Sequence, residues 1–270
     1  MARGPRIVLL TANERRHRYA AAAMAEWAEL VGIVSEAKAP TVPSPTLSAW
    51  DRETVEHHLA GRDAVESLLL GEPPALPAGL VLELPEGGVN RPEVIDWVRE
   101  RYPDVLVLFG TSIVKAPLLD LFAERIVNVH LGLSPYYRGS GTNFWPLVER
   151  KPECVGATIH IAVAKLDGGP ILGQVRPQVE TGDRAHQLGT KTIVAAFRAI
   201  RWVLPRYLDG GLAPTRQRLA DGHVFRRAEF GPDAVRQMWN HFESGMMAEY
   251  FDNIEARRRA YPIVPVDVAG

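Results

Sequence analysis

The chain of 270 residues contains one cysteine, Cys154. A lone thiol excludes an internal disulfide framework and any cysteine-based metal cluster, and it suits a reducing cytoplasm. Its setting, KPEC, reads as a turn entering a strand rather than as a nucleophile's environment. No apolar run reaches the roughly 20 residues that a membrane-crossing helix needs, and the opening MARGPRIVLL is too short and too interrupted for a signal peptide. Neither sign of charge is in excess: 31 Lys and Arg stand against 32 Asp and Glu. A general field for nucleic acid or anionic membrane is therefore missing, and the local clusters ERRHR and RRR read as solvated helix faces. Glycine is absent from the turn TANERRHR after the first strand-like run, so the dinucleotide fingerprint is not there, and no Walker-type phosphate loop occurs elsewhere. Of the eight histidines, His57 and His58 fall in a polar helical stretch, and His186, His223 and His241 read as surface or capping residues. No pair has ligand spacing with carboxylates nearby, and no metal is expected. There is no internal repeat.

What is present is an alternation. RIVLLTA is a short apolar run, NERRHRYAAAAMAEWAEL is rich in helix formers with Asn13 as the expected N-cap, and VGIVSEA is strand-like again. A proline-rich connection over Lys38 to Thr46 precedes a helical stretch from Leu47 to Leu70. LVLELP, the helix RPEVIDWVRERY with Pro92 in its first turn, DVLVLFG, the short helix APLLDLFAE and RIVNVHLG then keep the rhythm. Runs that are apolar on both faces and separated by helices predict an α/β fold. Its centre is a Rossmann-like, mostly parallel sheet covered on both sides, with ligands at the carboxyl ends of its strands. CVGATIHIAV and PILGQVRPQVE, joined by AKLDGG, predict a β-hairpin instead of another crossover, and a long amphipathic helix follows. The expected division is a catalytic domain over 1–208 and a small, largely helical C-terminal extension over 209–270. That extension should hold a short strand pair and one helix, GPDAVRQMWNHFESGMMAEYFDNIEARRR. Its Met, Trp and Phe stripe reads as core or as a homodimer contact.

Asn128 and His130 lie two residues apart at the end of a buried strand, so a period of two puts them on one face. Taken alone, His130 reads as a hydrogen-bonded core histidine and Asn128 as a strand-ending amide. Asp167, in the glycine-rich turn KLDGGPI, adds a carboxylate that can return over the end of the sheet. An amide, an imidazole and a carboxylate together can stabilise an oxyanion and relay a proton.

Four motifs in order are Asn128-Val129-His130, Ser134-Pro135-Tyr136-Tyr137-Arg138-Gly139, Gly156-Ala157-Thr158 and Asp167-Gly168-Gly169-Pro170-Ile171. This series resembles the catalytic core of the 10-formyltetrahydrofolate-dependent formyltransferases, closely over Asp104 to Gln174 and loosely before it. The group includes glycinamide ribonucleotide transformylase, methionyl-tRNA formyltransferase and the nucleotide-sugar N-formyltransferases. The resemblance implies that Asn128 bonds the formyl oxygen as it becomes an oxyanion, that His130 polarises it or handles the amine's proton, and that Asp167 orients His130. It implies 10-formyltetrahydrofolate as co-substrate. The pterin would lie against Leu108, Phe109, Gly110, Thr111, Ser112, Ile113 and Val114 and the turn carrying Val163 and Lys165. The acceptor is expected to be the amine of a small molecule, an amino sugar nucleotide or another amine of specialised metabolism, contacted by Arg138, Asn143 and Trp145; for Trp145 core packing competes. A tRNA enzyme should carry a further β-barrel, so nucleic acid is not the expected partner. Hydrolysis of the same folate to formate, or ligand binding without catalysis, remain the alternatives.

Overall fold

The computed structural model describes residues 4–38 and 46–267. Residues 39–45, most of the expected proline-rich connection, lie outside the described residues. The first half alternates as the sequence predicts. β1 (Arg6–Thr11), β2 (Glu29–Glu36), β3 (Val81–Leu84), β4 (Val105–Leu108) and β5 (Ile126–His130) are parallel. β7 (Ala157–Ile161) and β8 (Ile171–Val175) form the expected hairpin and extend the sheet antiparallel, giving the order β3-β2-β1-β4-β5-β7-β8. Between them run α1 (Arg15–Ala25), α2 (Ala49–Leu70), α3 (Pro92–Arg99) and α4 (Leu118–Leu121). Pro92 opens α3 as expected, where its missing N–H costs nothing. The N-cap of α1 is Glu14, not Asn13.

The pleat sorts the strands into two cores. Ile7, Leu9, Ile33, Val107, Val127 and Ile159 face α1 and the long helix α6 (Ala185–Leu208), whose Ile193, Phe197, Ile200 and Leu204 are buried against them. Val8, Leu10, Val34, Leu106 and Ile126 face α3 and α4. Period-two alternation then puts Asn128 and His130 on the face of Ile126, at the carboxyl end of β5.

The C-terminal region departs from expectation in two ways. The one long helix is three: α7 (Pro232–Glu243), α8 (Met246–Asp252) and α9 (Ile254–Ala260). Gly245, with φ of 84°, turns the chain between the first two, a conformation that glycine adopts without a Cβ penalty. The expected strand pair is one strand, β9 (His223–Phe225), and it pairs in parallel with β6 (Tyr137–Gly139) in the loop after β5. A third core joins these regions: Tyr137, Trp145, Cys154 and Leu188 pack with Phe225, Met238, Met246, Met247 and Tyr250. α5 (Trp145–Val148) closes that loop. Among the described residues no helix is long and apolar enough to cross a membrane.

Candidate active site

A cavity of about 690 Å³ opens at the carboxyl ends of β4 and β5. Asn128, His130 and Asp167 meet in it. Asn128 Nδ2 donates to Asp167 Oδ1 at 3.2 Å, and His130 Nδ1 lies 3.4 Å from Asp167 Oδ2. The other His130 nitrogen, Nε2, is 3.0 Å from the Tyr137 carbonyl. Both ring nitrogens thus face acceptors. Burial nevertheless outweighs Asp167 and the Tyr137 carbonyl and holds the His130 pKa below its usual value, which favours the neutral ring. Burial alone would also raise Asp167, but His130, His160 and the backbone N–H of Gly139, which donates to Oδ2 at 2.8 Å, outweigh it and hold the carboxyl well below its usual range.

His160 is the residue that sequence reasoning missed. Register places it directly across from Asn128 on the neighbouring strand. Its Nδ1 bonds the Ile161 carbonyl at 2.9 Å, so Nε2 is left to accept from Asn128 Nδ2 at 3.2 Å. The signal was the hairpin itself, because once CVGATIHIAV pairs beside RIVNVHLG, an inward histidine must meet an inward residue of β5. The consequence is chemical. Both hydrogens of the Asn128 amide are engaged, by Asp167 and by His160, so bonding a formyl oxygen requires the amide to give one of them up. Catalytic hydrogen bonds commonly tighten only when substrate is present.

Asp167 sits at φ of 46°, the left-handed region, which costs a non-glycine residue about 1–2 kcal/mol. The turn is pinned from outside: Gln217 Nε2 donates to the carbonyls of Asp167 at 3.0 Å and Gly169 at 2.6 Å. Two bonds of about 1 kcal/mol each match the strain. Gly169 is needed for a different reason, since a Cβ there would come 1.8 Å from the Ile161 carbonyl.

The expected folate wall divides. Leu108, Phe109, Gly110, Thr111, Ser112, Ile113, Val114 and Val163 all line the cavity. Lys165 does not: it is exposed on the outer side of its turn, because Ala164 and Leu166 take the inward places. Glu36 at the end of β2 holds this wall, accepting from Thr111 Oγ1 at 2.7 Å, Ser112 N at 2.7 Å and Val89 N at 2.9 Å. Burial opposes its charge, yet these donors lower its pKa.

Of the residues expected to contact the acceptor, Asn143 and Trp145 line the cavity and Arg138 does not. Arg138 is buried on β6, where its guanidinium donates to the Leu219 carbonyl at 3.3 Å, because β9 lies alongside and turns that side chain away from solvent. Asn143 Oδ1 accepts from Gly156 N at 2.9 Å. Trp145 packs as core as well as wall, with Phe225 stacked between its ring at 4.9 Å and that of Tyr137 at 5.6 Å. The far wall holds residues read from sequence as surface. His58 is buried and His186 half-buried, 4.4 Å apart between ring centroids, with Phe144 and Phe230 beside His58. Arg16, Lys38, Arg62, Arg226 and Arg227 also reach the lining, against the carboxylates of Glu14, Glu66 and Asp167. Among the described residues no cluster of His, Cys, Asp and Glu is arranged to hold a metal ion.

The comparisons give the class to which this fold belongs. The formyl transferase family model matches residues 28–204, and the chain belongs to that family. Similar solved structures include a Mycobacterium tuberculosis protein assigned to the sugar N-formyltransferases. It is 20% identical, with 84% of this chain and 77% of that one covered, at a TM-score of 0.54. Another is the phosphoribosylglycinamide formyltransferase of Anaplasma phagocytophilum, 16% identical over 82% and 97%, TM-score 0.53. A third is an N-formyltransferase from Helicobacter canadensis in complex with folinic acid and dTDP-3-aminofucose, 14% identical over 86% and 78%, TM-score 0.54.

Proposed function

We propose that the protein transfers the formyl group of 10-formyltetrahydrofolate to the amine of a small acceptor that carries an anionic group, an amino sugar nucleotide being the best fit. The carrying observation is the convergence of Asn128, His130 and Asp167 in the lining of one cavity in a formyl transferase fold. The amine attacks the formyl carbon, and its developing oxyanion takes a hydrogen bond from the Asn128 amide, while the neutral His130 ring is placed to take the amine's proton. As the tetrahedral centre collapses, the folate nitrogen leaves and needs a proton while the former amine has one to lose. His130 and Asp167, already 3.4 Å apart, are placed to carry it across. The wall formed by Phe109, Ile113 and Val114, whose segment Glu36 braces through Thr111 and Ser112, suits a flat heterocycle. The folate and amino-sugar nucleotide held by the Helicobacter canadensis neighbour are the kinds of ligand that the two halves of this cavity suit.

The anionic group follows from charge. Five cationic side chains against three carboxylates line a cavity in a molecule of net charge −1. Arg16 is already spoken for by Glu66 at 2.5 Å and by Glu14; Arg62 and Arg227 have looser, exposed partners in Asp63 at 3.2 Å and Glu86 at 3.9 Å, which an anionic ligand can displace, and Lys38 and Arg226 line the same cavity. The test is a panel of amines, with and without phosphate, incubated with 10-formyltetrahydrofolate while tetrahydrofolate release and formylated products are followed. Phosphate-bearing amines should be preferred, and Arg62→Ala and Arg227→Ala should raise their KM about tenfold each, the loss of one charged hydrogen bond, without affecting uncharged amines. Folate consumption at one rate whether or not an amine is present would replace this reading with hydrolysis.

A further inference from the structure

We infer that Gln217, in the segment between α6 and β9, is a positioning residue that holds Asp167 in its working orientation, making the C-terminal segment part of the catalytic apparatus. The inference rests on the reading of Asp167 as a catalytic carboxylate. Its grounds are geometric. Asp167 needs a left-handed backbone at φ of 46° to bring one carboxylate oxygen to Asn128 and the other to Gly139 N and His130. The turn itself constrains that backbone little: one internal bond runs from Gly168 N to the Lys165 carbonyl at 3.1 Å, and the close packing of Gly169 on the Ile161 carbonyl lies two residues beyond Asp167. Gln217 supplies the constraint, one Nε2 spanning the carbonyls of residues 167 and 169.

The orientation of this amide is fixed by chemistry, because a flipped side chain would set its oxygen against two carbonyl oxygens. The arrangement also leaves Gln217 Oε1 buried without a partner, a cost that a merely space-filling glutamine would avoid. The clamp is itself anchored on both flanks. Thr215 exchanges two backbone bonds with Ile171, at 2.7 and 2.8 Å, and downstream the Leu219 carbonyl takes Arg138 while β9 pairs with β6. The same strand pair fixes Gly139, whose N–H makes the carboxylate's shortest donor contact. Gln217 and β9 therefore grip the carboxylate from its backbone side and from its acceptor side.

The test uses the full chain, comparing the wild type with Gln217→Ala, Gln217→Glu and Gln217→Lys. The glutamate keeps the shape but turns a carboxylate toward two carbonyls, whereas the lysine restores N–H donors. With KM for both substrates within about twofold, kcat should fall about ten- to a hundredfold in the first two variants, the scale of an ångström's misplacement, and recover in the third. The His130 ring protons, followed by NMR against pH, should titrate lower in Gln217→Ala and Gln217→Glu, because a displaced Asp167 no longer supports the imidazolium. A kcat within about twofold of wild type in both variants overturns the inference. So does an unmoved His130 titration in folded protein. If the wild type itself transfers no formyl group, the proposed function fails, but the titration still reads the clamp.

Discussion

Asn128, His130 and Asp167 form one unit, not three independent contributors. Replacing any one of them by Asn128→Ala, His130→Asn or Asp167→Asn should lower kcat by about a hundred- to ten-thousandfold, since in the proposed mechanism each removes an oxyanion donor or a proton carrier. The double variant Asn128→Ala with Asp167→Asn should cost far less than the product of the single losses, because Asp167 acts partly through the amide it holds at 3.2 Å. Steady-state tetrahydrofolate release measures both, and near-wild-type kcat in the single variants would remove the mechanism. These three side chains were legible in the sequence because a strand's period of two and a glycine turn are local features. His160 and Gln217 were not, since each acts through a partner far along the chain that only register or tertiary packing brings near. Arg138 was legible as a cation but not as a buried one, for burial came from β9, a strand of three residues paired with residues far upstream.

At the scale of elements, α2 meets α6 through the His58 and His186 rings, and this seam should respond to pH. Burial is the main cause that pushes the two imidazoles down, to about 3 and about 4, reinforced at His58 by His186 and Arg62 and at His186 by Arg62. Their folded pKa values lie below the unfolded value near 6.5, so the stability they contribute is complete above pH 6.5 and lost as pH falls toward 4. Between pH 7 and pH 5 His58 alone should cost about 2 kcal/mol of unfolding free energy, and the more exposed His186 less. Denaturant unfolding at the two pH values checks this. His58→Phe keeps an aromatic ring against Phe144 and Phe230 and should flatten the dependence by about the same amount; an unchanged slope would show that the ring is protonated at no such cost. The two helices themselves were readable from composition, but which of their faces is buried was not. His58 looked polar and exposed because its helix is mostly so. The C-terminal helix was read as one for a related reason, since Gly245 and Asn253 interrupt a pattern whose apolar period continues on either side.

For the molecule as a whole the question is whether residues 209–270 form an accessory or complete the enzyme. The family model stops at residue 204, and the sheet with α6 contains every strand of the main core, so a truncation after 208 looks natural on sequence grounds. The packing argues otherwise. Phe225 stacks between Tyr137 and Trp145, and Met238, Met246, Met247 and Tyr250 cover Leu147, Cys154 and Leu188. Five such side chains, each contributing about 1.5–3 kcal/mol on full burial, amount to roughly 10 kcal/mol, which is comparable with the entire stability of a typical domain. Removing them would expose the loop that carries β6, Asn143 and Trp145 while also deleting Gln217. The chain ending at residue 208 should accordingly keep its far-UV helical signal but lose protease resistance across residues 131–156 and show no measurable transfer. Circular dichroism, limited proteolysis with fragment mass analysis, and the amine assay together decide it. A truncated protein that resists cleavage in that loop and turns over at the full rate would make the C-terminal region an appendage and leave the catalytic unit at 1–208.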